Sequence, residues 1–215
     1  DINMLTVAEF KKLGRMARLK YRLYRSPIVL FVLGPIFYIF IHQRLPLIEN
    51  KPFKKLRFSL MRSNLLIIGS YVALAFILDW KNFLLVQLSI LSFFAVIAIW
   101  FFYVQHQHEN NYKAWKDNWD YVLAAIKGST YYKLPRLFNW LTGSIGFHHI
   151  HHLNPLIPNY NLKKCHIENP IFEKVVNIIR FRESFSCMFN KLWDEQKQKM
   201  ISFREFYRME KAGIV

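Results

Sequence analysis

From Phe83 to Gln105 the chain reads FLLVQLSILSFFAVIAIWFFYVQ, without one charged residue. As a helix rising about 1.5 Å per residue, this stretch is long enough to cross a hydrocarbon core of ~30 Å with some tilt. A second apolar stretch, SNLLIIGSYVALAFILDW, lies between Arg62 and Lys81. Those two charges stand roughly 28 Å apart on a helix, so the stretch crosses if both side chains snorkel. A third, PIVLFVLGPIFYIFI from Pro27 to Ile41, covers only about 22 Å and is interrupted by Pro35. The chain is 53% hydrophobic with Gly left out, above the ~45–50% that soluble domains reach with Gly counted. A disordered tail and a typical soluble domain are both excluded on these grounds.

Thirty Lys+Arg stand against 14 Asp+Glu, a formal charge of +16. Such an excess suits either a nucleic-acid face or membrane loops on an anionic leaflet. Position along the chain decides between them. Lys11, Lys12, Arg15, Arg18, Lys20, Arg22 and Arg25 precede the third stretch, and Arg44, Lys51, Lys54, Lys55, Arg57 and Arg62 follow it. The turn Asp79-Trp80-Lys81-Asn82 is nearly neutral. Basic residues thus flank apolar segments instead of forming one stripe with stacking aromatics, which argues against nucleic acid. By the positive-inside rule both flanks of 27–42 are cytoplasmic.

The fold expected is all-α, a helical integral membrane protein with a membrane hairpin and a cytoplasmic helical cap. Residues 1–26 are expected to form a basic amphipathic interfacial helix, opened by a Thr6/Glu9 capping box. Residues 27–104 form the membrane region, with a re-entrant or short helix at 27–42 and spanning helices at 63–80 and 83–104. Residues 105–215 form the cap. The chain opens on Asp1 with no signal-peptide pattern, and Cys165 and Cys187 form no CxxC, which fits a reducing compartment.

Seven of the eight histidines lie in the cap. Gln105-His106-Gln107-His108-Glu109 directly follows the longest apolar stretch; Phe147-His148-His149-Ile150-His151-His152 comes later, and His166 stands alone. On a helix, residues three and four apart share a face. His148, His151 and His152 can therefore converge on one metal region, while His149 points somewhat away. His106 sits at the depth of the membrane interface, so a site drawing on both groups lies at the membrane surface. Imidazoles suit Zn, Cu, Fe and Ni. No Cys is near for a structural zinc site, and HExxH is absent. His108 and His149 read equally well as ordinary polar residues or as groups supporting the ligands; His166 reads as an ordinary polar residue and His42 as an interfacial one.

These residues resemble a known family. FHHIHHLNPLIPNY is similar to the third histidine box, HxxHH, of the membrane fatty-acid desaturases and the LxPxxPNY stretch behind it. FFYVQHQHE resembles the VQHxFE stretch of the acyl-lipid members. WDYVLAAIKGSTYYKLPRLFNWLTGSIG, LWDEQKQKMISFREF and LKYRLYRSPIVLFVLGP extend the resemblance from about Leu5 to Phe206.

The resemblance implies a non-haem centre of two iron ions that uses O2 to introduce a double bond into an acyl chain. Two electrons come from an external donor, ferredoxin or cytochrome b5. His148, His151 and His152 match the third box and His106 the additional histidine, with His149 and His108 as further candidates. Gln105, Glu109, Asn118 and Asp120 are candidates for supporting the ligands. The partners implied are a membrane lipid or acyl substrate, the bilayer and an electron-transfer protein, with no nucleic acid. The protein is expected in the membrane with its histidine clusters on the cytoplasmic side. The first two boxes are not found, so the chain is expected to be the C-terminal part of a longer enzyme and inactive alone. Two other readings stay open: a di-iron hydroxylase or ketolase of alkanes, sterols or carotenoids, and a non-enzymatic basic membrane protein.

Overall fold

The computed structural model describes residues 4–45 and 54–215. Helices dominate it, as expected of a helical membrane protein. Two compact units emerge, one of residues up to Arg22 with Phe101–Val215, the other Leu23–Trp100.

In the unit Leu23–Trp100, two helices are long and apolar enough to cross a membrane. They are α4 (Lys54–Ile77) and α5 (Trp80–His106). Their apolar side chains face outward; Phe76 is 89% exposed. Side chains like these gain nothing in water and belong in hydrocarbon. Two of their hydroxyls are satisfied inside the helix, as a bilayer requires: Ser70 donates to the Leu66 carbonyl and Ser89 to that of Leu85, each at 2.8 Å. Asp79 forms the tight turn between them, accepting from the Lys81 amide at 3.2 Å and the Asn82 side chain at 2.6 Å. Tyr71 donates across the hairpin to Gln87 at 3.4 Å and packs edge-on against Phe83.

Residues Val29–His42 are helical throughout, with π-helical turns at Val29–Leu33 and Tyr38–His42 around a short α3 (Gly34–Phe37). Pro35 has no N–H to donate, and next to it the Gly34 amide reaches back five residues to the Val29 carbonyl. His42 stacks on Tyr38. Lys51 of the basic flank lies outside the described residues.

In the other unit, the single helix expected over 1–26 is instead two, α1 (Val7–Lys12) and α2 (Arg15–Tyr24), broken at Leu13-Gly14. The Thr6/Glu9 capping box forms, with bonds of 3.1 and 2.7 Å. The apolar side of α1 is not left for lipid. Val7 and Phe10 join Tyr21, Leu192, Ile201, Phe206 and Met209 in a buried core.

The cap continues with α6 (Tyr121–Lys127), α7 (Arg136–Leu141), α8 (His148–Leu153), α9 (Asn159–Glu168), α10 (Ile171–Val175), α11 (Ser184–Cys187) and α12 (Phe203–Lys211). It also holds two small strand pairs not expected from sequence. Strand β1 (Thr130–Lys133) runs parallel to β2 (Asn177–Arg180), and β3 (Leu192–Asp194) antiparallel to β4 (Lys199–Ile201). β1 fixes the start of α8: its Tyr132 amide donates to the Gly146 carbonyl at 2.8 Å, and Tyr131 stacks on Phe147. A Cβ at 146 would stand 2.5 Å from the Tyr132 carbonyl oxygen, so this approach requires glycine.

Candidate metal centre

Helix α5 ends at His106, and α8 opens on His148. One helical turn separates His148 from His152, which places both imidazoles on the same side of α8. Their Nε2 atoms are 3.0 Å apart. His106 meets them: its Nε2 lies 2.9 Å from that of His148 and 3.4 Å from that of His152.

Protons alone cannot satisfy this triangle. Each Nε2 either donates or accepts, so at least two of the three share a role and repel. His106 sharpens the conflict, because its Nδ1 lies 3.3 Å from the Gly128 carbonyl, an acceptor only. Donating there leaves its Nε2 as a lone pair aimed at the other two. A cation resolves the conflict for all three. Two nitrogens at about 2.1 Å from one ion, at tetrahedral or octahedral angles, stand ~3.0–3.4 Å apart; two of the observed separations, 3.0 and 3.4 Å, fall on that range and the third, 2.9 Å, lies at its lower edge. The ligand atoms lie within 4.8 Å of one another.

The imidazoles are held neutral. Burial, then the neighbouring histidines led by His106, push His148 down to about 2. Burial, then His106 and His151, push His152 to about 4. Both therefore present lone pairs at neutral pH, as a metal requires.

The local supports follow from nearby sequence. Gln105 is buried and donates to the Ile145 carbonyl at 2.7 Å, tying the end of α5 to the loop before α8. Asn111 donates to the His106 carbonyl at 2.8 Å. The single Tyr121 hydroxyl proton is shared between the His152 and Leu153 carbonyls, at 2.6 and 3.0 Å, closing the C-terminus of α8. Asp120 caps α6 by accepting from the Leu123 amide at 2.7 Å, and so holds the helix that carries Tyr121 and leads to Gly128.

Other histidines take different places. His151 stands beside the triangle, its ring 5.6 Å from His148 and 5.8 Å from His152, and is not brought into the three-nitrogen group. His149 faces away from it, fully buried, with Nε2 3.2 Å from Nδ1 of His166. Burial and His166 lower His149 to about 3. His166, read from sequence as an ordinary polar residue, is thus a buried partner, packed against Tyr131 and Phe147. His108 is buried, pushed to about 3 by burial and by His106, and its Nε2 has no hydrogen-bond partner among the described residues.

Two polar candidates belong elsewhere. Glu109 pairs with Lys199 at 2.8 Å, and Asn118 lends its carbonyl to the Tyr112 hydroxyl at 3.1 Å. The roles of Gly128, Tyr121 and His166 had no local sequence signal, because each acts through space. A cavity of about 460 Å³ opens beside His106 and His152, walled by Phe102, Trp119, Tyr121 and Gly128. That is room enough for part of a small ligand.

Fold and site together define a helical membrane protein with a three-histidine candidate metal centre where its longest apolar helix ends. The family model described as "Fatty acid desaturase" matches residues 1–182. A protein of Bacillus subtilis (strain 168) named "Fatty acid desaturase" is 42% identical over 204 residues, 95% of this chain. The chain belongs to the fatty acid desaturase family. It spans 57% of the length of that relative.

Proposed function

We propose that this chain carries the C-terminal share of the metal centre of a membrane acyl-lipid desaturase. The reaction replaces a CH2–CH2 pair in an acyl chain by CH=CH. O2, two electrons and two protons are consumed, and two waters leave with the removed hydrogens. The observation that carries this reading is the convergence of the Nε2 atoms of His106, His148 and His152, at 2.9, 3.0 and 3.4 Å.

Bound at this centre, a non-haem iron pair supplies the O2 chemistry. This chain's residues do the rest. His106, His148 and His152 hold metal, with His151, the remaining histidine of the box, as a fourth ligand beside them. The Gly128 carbonyl keeps the His106 proton on Nδ1. Phe102, Trp119 and Tyr121 line the adjoining cavity, exclude water and align acyl methylenes with the histidines. The remaining ligands come from protein beyond these 215 residues, in keeping with the fraction of the relative's length that is matched. The chain alone is then inactive.

The arrangement proposed is a basic N-terminal segment at 1–26, a membrane region at 27–104 and a cytoplasmic cap at 105–215. The charge pattern supports a cytoplasmic side for the histidines. A basic cytoplasmic surface suits an acidic electron carrier such as ferredoxin, with cytochrome b5 as the other donor class. The test is product analysis by the full-length protein in membranes supplied with saturated acyl lipid. A new double bond is expected. An alcohol or ketone would move the protein to hydroxylase or ketolase chemistry, and no oxidised product would overturn the reading.

A further inference from the structure

The cap carries an apolar face left uncovered among the described residues. Helix α7, RLFNWL, buries none of its side chains: Leu137, Trp140 and Leu141 are 62%, 75% and 61% exposed. The face continues beyond α7. Phe138 stacks on Phe181 at 6.1 Å, and Phe181 meets Phe185 edge-on at 5.7 Å. Lys133, Arg136, Arg180 and Arg182 are exposed around it. The nearest acid in sequence, Glu183, accepts a bond from the Arg180 backbone amide at 2.9 Å.

The face is built on elements tied to the end of α5. Phe101, on the last turns of that helix, packs edge-on against Tyr132 of β1 at 5.2 Å. The Tyr132 hydroxyl donates to Ser184 of α11 at 2.9 Å. β1 leads into α7, and α11 carries Phe185. The apolar face thus adjoins the place where a helix suited to hydrocarbon comes to its end.

We propose that α7, with Phe181 and Phe185, is seated in the headgroup region of an anionic bilayer. Trp140, Leu137 and Leu141 enter the acyl boundary, and the four cations pair with lipid phosphates. Three observations select lipid as the occupant. Tryptophan beside Lys and Arg is the side-chain chemistry of a membrane interface. A protein partner without matching acids would bury the cations unpaired, at considerable cost, whereas anionic headgroups pair them. The elements that carry the face are also tied, through Tyr132 and Ser184, to the last turns of a membrane-suited helix. The seating has a consequence for the histidines: α7 runs through Gly146 directly into α8, so its depth in the interface sets the depth of His148 and His152.

The test uses full-length protein reconstituted in vesicles of phosphatidylethanolamine and phosphatidylglycerol. Spin labels are placed on Leu137→Cys and Leu141→Cys, in a background where the native cysteines, Cys165 and Cys187 among them, are serine. A label on Lys211→Cys serves as reference. At 137 and 141, relaxation by O2 is expected to exceed relaxation by a water-soluble nickel chelate, with the opposite order at 211. Preferential relaxation by nickel at 137 and 141 would overturn the proposal by showing a hydrated face. Protection from both reagents would overturn it by showing a protein cover. If the serine background does not fold, quenching by brominated lipid replaces the labels. The proposal expects stronger quenching in the otherwise unaltered protein than in Trp140→Phe, and equal quenching in both contradicts it.

Discussion

The Nε2 atoms of His106 and His148 stand 2.9 Å apart across 42 residues of sequence. One ring ends an apolar helix and the other opens a short helix in the cap. Their meeting is fixed by Gln105 on one side and by the Gly146–Tyr132 contact on the other. Two neutral imidazoles so close, with His152 completing a triangle, form an arrangement that a cation stabilises and protons alone do not.

Replacing His148, His151 or His152 by Ala in the full-length enzyme should reduce double-bond formation by more than about 100-fold, beyond the 10–100-fold typical of groups that merely support a ligand. Membrane insertion should be unchanged. Lipid product analysis alongside membrane fractionation checks both. Retained activity in His148→Ala or His152→Ala would remove that residue from the ligand set.

Gly128→Ala should weaken metal binding without unfolding the protein. A Cβ there would lie 2.5 Å from the Ala124 carbonyl oxygen. The turn must shift, and it carries the carbonyl facing His106 Nδ1. Loss of such a supporting contact typically costs about 10–100-fold in metal affinity or activity. Metal titration of the purified variant against wild type measures it, and equal affinity would show that the carbonyl does not orient His106.

His166→Ala leaves the buried Nε2 of His149 without its partner. An unsatisfied buried group costs about 1–3 kcal/mol. The unfolding midpoint in denaturant should fall accordingly, with partial recovery in His166→Asn, whose side chain can reach the position of Nδ1. No change in His166→Ala would mean that the pair adds nothing to stability.

Acid should destabilise the metal-free cap. His108, His148, His149 and His152 are all held below the ordinary value of 6.5, with folded values of about 3, 2, 3 and 4. Between those values and 6.5 the unfolded chain binds more protons than the folded one, so stability rises with pH in that window. The contribution is fully present above about 6.5 and is lost as pH falls towards 4 and below. Thermal unfolding of metal-free protein should therefore begin earlier at pH 5 than at pH 7.5. An equal or higher midpoint at pH 5 would contradict neutral burial of these rings.

The hairpin α4–α5 and the His148/His152 face were legible because each rests on a local period or a long uncharged run. The strand pairs were not. β1 and β2 are four residues each, and their partners lie 47 positions apart, as Thr130 faces Asn177. Short strands bridged over such a distance leave no period to read. The break at Gly14 was hidden by continuous basic residues on both sides, and the burial of α1 depends on Leu192, Ile201 and Phe206, far along the chain. Spacing alone gathered His151 with His148 and His152. In the structure the i, i+4 pair faces the end of α5, and His151 stands beside it.

The proposed role of His106, His148 and His152 is to hold iron. X-ray absorption at the iron edge of the purified full-length protein tests it most directly, with metal content measured on the same sample. Bound iron with imidazole scattering is expected in the wild type, with loss of that scattering and of iron in His148→Ala. Absence of iron from the wild-type protein, or iron whose content and spectrum are the same in His148→Ala, would contradict it.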